Sequence, residues 1–284
     1  MLKWIRRNFG SGITFSAVVI ILMFILIALS APLIAPYAPN KQNLIMRLKP
    51  PCWVAGGSAK HLLGTDNLGR DILSRLIYGS RVSICIGILA AVFSGILGTI
   101  IGLISGYYKS LDKIFMRLAD IQLAFPSILL ALAIVSIIGG SFWNMVLVLS
   151  LSGWVNYARV IRSEVLSLRE QEYIIAARTI NVSPSRLLLH HILPNILGSV
   201  MTIATFQIAS AILTEASLTF LGIGIPVTTP TWGNMLQDGQ LYVESAWWMS
   251  VFPGLCIALV VLSINLIGDL LRDKMNPRLK AKTK

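Results

Sequence analysis

The chain has 284 residues, is 55% hydrophobic and only 13% charged, and has a mean hydropathy of +0.76. A soluble domain carries about 25% charged residues, so this sequence holds too little polar surface to face water, and lipid is its expected solvent. The net charge of +12 does not point to nucleic acid, because the basic residues sit between apolar stretches, where they act as topology signals and lipid-headgroup contacts.

A bilayer core about 30 Å thick takes about 20 helical residues. Residues 13–35 supply the first such stretch. It is too long for a signal-peptide core and no small-residue cleavage site ends it, so it reads as a retained anchor. Residues 82–108 form the second. Residues 121–158 contain no Asp, Glu, Lys or Arg and are too long for one span; Gly139-Gly140-Ser141 supplies a turn, which predicts a tight hairpin of two. Residues 196–224 and 246–271 complete an expected all-α membrane protein of six transmembrane helices. The expected parts are 1–35 (N-terminus and first helix), 36–81 (a loop on the far face), 82–271 (a five-helix core) and 272–284 (a basic tail). Cys52, Cys85 and Cys256 lack metal-type spacing, and Cys85 and Cys256 read as packing residues.

An even number of spans puts both termini on one side. Of the 24 Lys and Arg, all but the seven between Lys41 and Arg81 fall on that side: Lys3, Arg6 and Arg7; Lys109, Lys113 and Arg117; Arg159, Arg162, Arg169, Arg178 and Arg186; and the tail from Arg272 to Lys284. The positive-inside rule makes both termini cytoplasmic. Within 41–81, Ile72, Leu73, Leu76 and Ile77 recur at helical spacing between Arg70, Arg75 and Arg81, which predicts an amphipathic helix along the interface. Along the second span, Gly87, Ala91 and Gly95 form one small-residue stripe and Gly98, Gly102 and Gly106 another. Such stripes let helix backbones approach closely in lipid, here either within the chain or against a partner chain.

Residues 162–195 are more than a simple bundle needs. Val165, Leu168, Tyr173, Ala176 and Ala177 recur on one side of a predicted helix, a turn falls at 181–183, and Ser183-Pro184 starts a second helix with an N-cap hydroxyl and a proline at its first position. Pro194 marks the approach to the fifth span.

The stretch from Glu172 to Pro194 resembles the EAA loop of ABC importer permeases, whose pattern is Glu-Ala-Ala, a glycine four residues past the second alanine, and Ile-x-Leu-Pro. Ala176-Ala177 is followed at that spacing by Asn181, which reaches the left-handed conformation more easily than other non-glycine residues, and the segment closes on His191-Ile192-Leu193-Pro194-Asn195. Leu63 to Asp71, Ser74 to Arg81, Arg117 to Pro126, Phe220 to Gly224, Trp232 to Leu236, Phe252-Pro253-Gly254 and Asn265 to Asp269 are similar to segments of the dipeptide, oligopeptide and nickel branch, specifically its C-type subunit. The resemblance implies a type I permease bundle in a bacterial inner membrane, a second homologous permease, two ATPase subunits and an extracytoplasmic binding protein. It implies an ATPase-coupling link at Glu172, Ala176, Ala177 and Asn181, with Arg178 as a charge contact and Pro194 closing the loop. Peptides are the implied cargo, with nickel or another metal chelate, glutathione or a sugar oligomer as alternatives.

No G-x-x-x-x-G-K-[ST] phosphate loop occurs, so ATP is expected on another chain, and neither a cofactor nor a metal site is expected here. His190 and His191 are adjacent, face different ways on a helix, and lack a companion carboxylate or thiol. Asp120 and Asp269 are each three residues from an arginine, Arg117 and Arg272, which predicts local pairs. Glu215, about 30 Å along a helix from Asn195, has two readings, a pathway-lining acid or an interfacial pair. Pro226, Pro230, Trp232, Tyr242, Trp247 and Trp248 suit an outer headgroup belt. The leading function is import by alternating access. An ion-coupled secondary transporter would need internal repeats and midplane acids, and an intramembrane enzyme would need a nucleophile–base pair or metal set; neither pattern is visible.

Overall fold

In lipid every backbone N–H and C=O must be satisfied within the segment, so the apolar runs become helices. The computed structural model describes residues 12–275. Lys3, Arg6, Arg7 and the tail cations Arg278, Lys280, Lys282 and Lys284, used above for orientation, lie outside them. The chain runs through α1 (Gly12–Leu29), α2 (Ile72–Tyr107), α3 (Lys109–Leu123), α4 (Ser127–Ile138), α5 (Phe142–Leu168), α6 (Glu172–Thr179), α7 (Leu193–Phe220), α8 (Trp232–Gly239) and α9 (Trp248–Met275). Among the described residues the one β-type bridge is an isolated pairing of Thr65 with Asp71. Residues 36–71 and 221–247 gather at one end of the bundle, the loop end; α6 and the turns that follow it sit at the other, the knob end.

The centre of the bundle is α2, which packs most extensively on α5 and also touches α7 and α1. Its glycines explain the closeness. A Cβ built on Gly98 would lie 2.4 Å from the Trp154 carbonyl oxygen, and one on Gly102 or Gly106 would lie under 3.0 Å from Ile161 or Val165. Gly95 faces Tyr157, whose hydroxyl donates to the Ala91 carbonyl at 3.1 Å. This stripe therefore faces α5 of the same chain, whereas Gly87 faces Ile212 of α7.

The six-span expectation is not reproduced by helix length and hydropathy. Among the described residues four helices meet both criteria, Gly12–Leu29, Ile72–Tyr107, Pro184–Phe220 and Trp248–Lys274, and a fifth span is available if the bent pair α3–α4 counts as one. Two physical reasons account for the difference. Pro126 ends α3 and, because it disfavours helical geometry in the residue before it, turns α4 through 89°; a single straight helix from residue 121 to the Gly139 turn does not form. Helix α5 is 27 residues long, but Asn144, Ser150, Ser152, Asn156 and Arg159 dilute its apolar run.

Several local expectations are corrected. The predicted interfacial helix is instead the first turns of α2: Ile72, Leu76 and Ile77 are buried, and the helix continues unbroken past residue 81, so the boundary drawn between 36–81 and 82–271 falls inside one element. Trp232 and Trp248 are not in a headgroup belt. They are buried, with Trp232 Nε1 donating to the Leu76 carbonyl at 3.2 Å and Trp248 Nε1 to the Thr65 carbonyl at 3.0 Å. Cys85 is exposed and Cys256 half-buried. Asp120 pairs across helices with Arg159 rather than locally with Arg117, and no ion pair joins Asp269 to Arg272.

Candidate functional site

The knob begins where α5 ends at Leu168. The chain turns at 169–171 and restarts as α6, so the helical period is reset and the predicted continuous face breaks up. Val165 and Ala177 do join one apolar cluster, with Leu168 against its edge, but Ile174 takes the inward position while Tyr173 and Ala176 point outward. That cluster, Leu103, Ile161, Val165, Ile174, Ala177, Leu187, Ile192 and Ile196, seals the knob onto the ends of α2, α5 and α7.

Asn181 has φ +57°, the left-handed conformation its position demands. The Asn181 N–H donates to the Arg178 carbonyl at 3.0 Å and the Val182 N–H to the Ala177 carbonyl at 3.1 Å, the paired bonds of a Schellman cap. Asn181→Gly is accordingly expected to preserve the knob. Asn181→Val, a β-branched residue at positive φ, is expected to cost about 1–2 kcal/mol locally and to speed hydrogen exchange of the α6 amides while those of α7 stay protected. Ser183 precedes Pro184 at the helix start as expected, but its hydroxyl makes no capping hydrogen bond. The helix then runs through a wide π turn, Leu187–Ile192, into α7. Pro194 has no N–H to give the ladder there, and Asn195 Nδ2 donates to the His191 carbonyl at 2.6 Å.

Of the expected coupling residues, Glu172, Ala176, Arg178 and Asn181 are exposed together on the knob, whereas Ala177 packs inward. The Arg178 guanidinium lies 5.0 Å from the centre of the Tyr107 ring, at the end of α2. Sequence reasoning missed Ile175 and Ile180, which stand outward, Ile180 at 77% exposed. An isoleucine directly before Asn181, the position where the family pattern has glycine, is the signal the sequence offered. Behind the knob, Arg162 holds Asp112 of α3 through two hydrogen bonds, and Glu164 of α5 accepts from Ser199 of α7.

The loop end carries a second constellation. Asp66 Oδ2 receives Arg70 Nε at 2.6 Å and Arg75 Nη1 at 2.7 Å; Asp238 Oδ2 of α8 receives Arg70 Nη2 at 2.7 Å and Arg75 Nη1 at 2.8 Å. Asp66 and Arg75 are both 0% exposed. Two cations and two anions balance, but Arg75 Nε and Nη2 find no partner. Beside this cluster Asp71 caps α2, accepting from the Ser74 N–H at 2.8 Å, and meets His61 Nδ1 at 2.9 Å. The Asp66/Arg70 spacing of four residues was the sequence signal for this cluster. Glu215 is fully buried between α2 and α7, accepting from Ser83 at 3.1 Å and Thr219 at 2.9 Å. It makes neither an interfacial ion pair nor an open surface here; a pathway role requires α2 and α7 to part.

Bilayer-length apolar helices around a glycine-closed centre, with a sealed knob projecting from one end, define a multi-pass membrane protein. The sequence matches the family described as binding-protein-dependent transport system inner membrane component over residues 83–281, and the N-terminal TM domain of oligopeptide transport permease C over residues 14–51. It is 44% identical over 280 residues to the dipeptide transport system permease protein DppC of Alkalihalophilus pseudofirmus, covering 98% of this chain and 89% of that one. It is 45% identical over 278 residues to DppC of Escherichia coli, covering 98% and 92%. To the oligopeptide transport system permease protein OppC of Bacillus subtilis it is 39% identical over 263 residues, covering 92% and 84%. The chain belongs to the inner-membrane permeases of binding-protein-dependent ABC importers.

Proposed function

We propose that this chain is the C-type member of a pair of homologous permeases that together conduct peptides, fed by an extracytoplasmic binding protein and driven by two ATPase subunits. The relatives' names, which specify dipeptides, di/tripeptides and oligopeptides, support the cargo. In this reading both termini and the knob are cytoplasmic and the loop end faces outward, as the Lys and Arg distribution favours. The observation that carries the mechanism is the knob itself: Ile174 and Ala177 fasten it to the bundle while Glu172, Tyr173, Ile175, Ala176 and Ile180 are left outward. A helix fixed on its inner side and apolar on its outer side suits a groove on another chain. Movement of that groove on nucleotide binding then moves α5 and α7, to which the knob is sealed, and the permease needs only two stable arrangements of those helices.

The test is affinity purification of the tagged permease from its native membrane. Wild type is expected to retrieve an ATPase and a second permease, and Ile175→Asp with Ile180→Asp is expected to lose the ATPase while keeping the permease partner. These positions separate docking from folding, because neither side chain is in the knob's core. A wild type that comes down alone and transports in liposomes without ATP would instead be a secondary transporter. Uptake of dipeptides, longer peptides, nickel chelates and glutathione by the intact system then reads the cargo.

A further inference from the structure

Helix α3 presents three faces about 120° apart, at 100° per residue. One packs on α5: Ala119 is buried with Trp154, Val155 and Ala158, and Gln122 Nε2 donates to the Leu151 carbonyl at 3.0 Å while its Oε1 accepts from Trp154 Nε1 at 2.9 Å. The second is a stripe of Leu111, Ile114, Leu118 and Ile121, each between 38% and 57% exposed, continued past the helix by exposed Phe125. The third carries Lys109, Lys113 and Arg117, all exposed. Both acids of the helix are already committed to α5, Asp112 to Arg162 and Asp120 to Arg159. The three cations have no ion-pair partner among the described residues.

We propose that α3 lies in the headgroup layer of the leaflet at the knob end, with the Leu111–Ile121 stripe in the acyl boundary and Lys109, Lys113 and Arg117 on the phosphates of anionic phospholipid. Three observations favour lipid over a protein partner. The 89° bend at Pro126 turns α3 across the direction of α4 rather than along it. Its ion pairs fall at Arg159 and Arg162, where the apolar run of α5 gives out. Its spare charge is of one sign, with an apolar stripe beside it, which is the pattern of an interfacial helix on an anionic surface. A helix so placed ties the inner end of α5, and through it the knob, to the membrane plane. The inference rests on the orientation proposed above, with the knob end cytoplasmic.

The test uses the assembled importer in nanodiscs, with Cys52, Cys85 and Cys256 replaced and spin labels at Leu118→Cys or Lys113→Cys. The Leu118 label is expected to collide with oxygen and to be shielded from a water-soluble nickel reagent, and the Lys113 label to report headgroup depth. A Leu118 label shielded from both reagents means a protein partner covers the stripe, and one open to the nickel reagent means water does; either overturns the proposal. Retention of phosphatidylglycerol over phosphatidylcholine, counted by native mass spectrometry, is expected to fall about fivefold per cation in Lys109→Gln, Lys113→Gln and Arg117→Gln, and unchanged retention also overturns it. Failure of the orientation is read separately: a membrane-impermeant thiol reagent reaching Ser185→Cys from outside intact spheroplasts would reverse the topology without altering the depth of α3.

Discussion

Asp66→Ala is expected to destabilise the loop end by about 3–5 kcal/mol, the cost of leaving a buried charge without its counter-ion. Removing Asp66 leaves Arg70 and Arg75, both buried, facing only the single carboxylate of Asp238. Two of the nitrogens of Arg75 already lack partners, so the surplus charge has no alternative acceptor. The measurement is thermal unfolding of the detergent-solubilised permease, compared with the double variant Asp66→Ala, Arg75→Leu. The double variant keeps Arg70 opposite Asp238 and is again neutral, so it is expected to be more stable than Asp66→Ala alone. Losses that simply add would sink the claim that charge balance, rather than packing, holds this cluster.

Gly98→Leu is the second large effect. The built Cβ meets the Trp154 carbonyl oxygen at 2.4 Å and Tyr157 Cβ at 2.6 Å, both in or next to the backbone of α5 and unable to rotate away. Overpacking of a well-packed core costs about 1–3 kcal/mol where side chains and backbone can shift to absorb it; here helix α2 must leave α5, and the expected result is loss of monodisperse protein on size exclusion. Gly254→Leu is the control, because nothing lies within 4 Å of a Cβ at that helical position. Equal stability of the two variants would remove the assigned α2–α5 contact.

What could be read from the sequence followed the physics that acts locally. Apolar length marked the four helices that meet the spanning criteria, and the left-handed turn at Asn181 followed from a residue type suited to it at the position where the family pattern has glycine. The Gly98, Gly102 and Gly106 stripe announced a close helix contact but not its partner, since any helix can approach a small-residue surface; only the fold puts α5 there. The errors arose where tertiary structure overrode local pattern. Arg75 looked like the polar edge of an interfacial helix because a partner 163 residues away, Asp238, is invisible to periodicity. Trp232 and Trp248 looked like belt residues because the Leu76 and Thr65 carbonyls that receive their N–H groups come from distant segments. The inward turn of Ala177 was not legible because the helix break at 169–171, which sets the inward face of α6, has no strong breaker in the sequence.

Helix α2 has 36 residues, so it is about 54 Å long against a hydrocarbon core of about 30 Å. Its first turn stands at the loop end, where Arg75 is fastened to Asp238, while the other end lies beneath the knob with Leu103 in its core. The helix is unbroken along that length. A rod held this way cannot tilt at one face of the membrane without tilting at the other. Whatever displaces the knob end is therefore felt at the loop end within the same movement, by leverage, with no chemical message carried across.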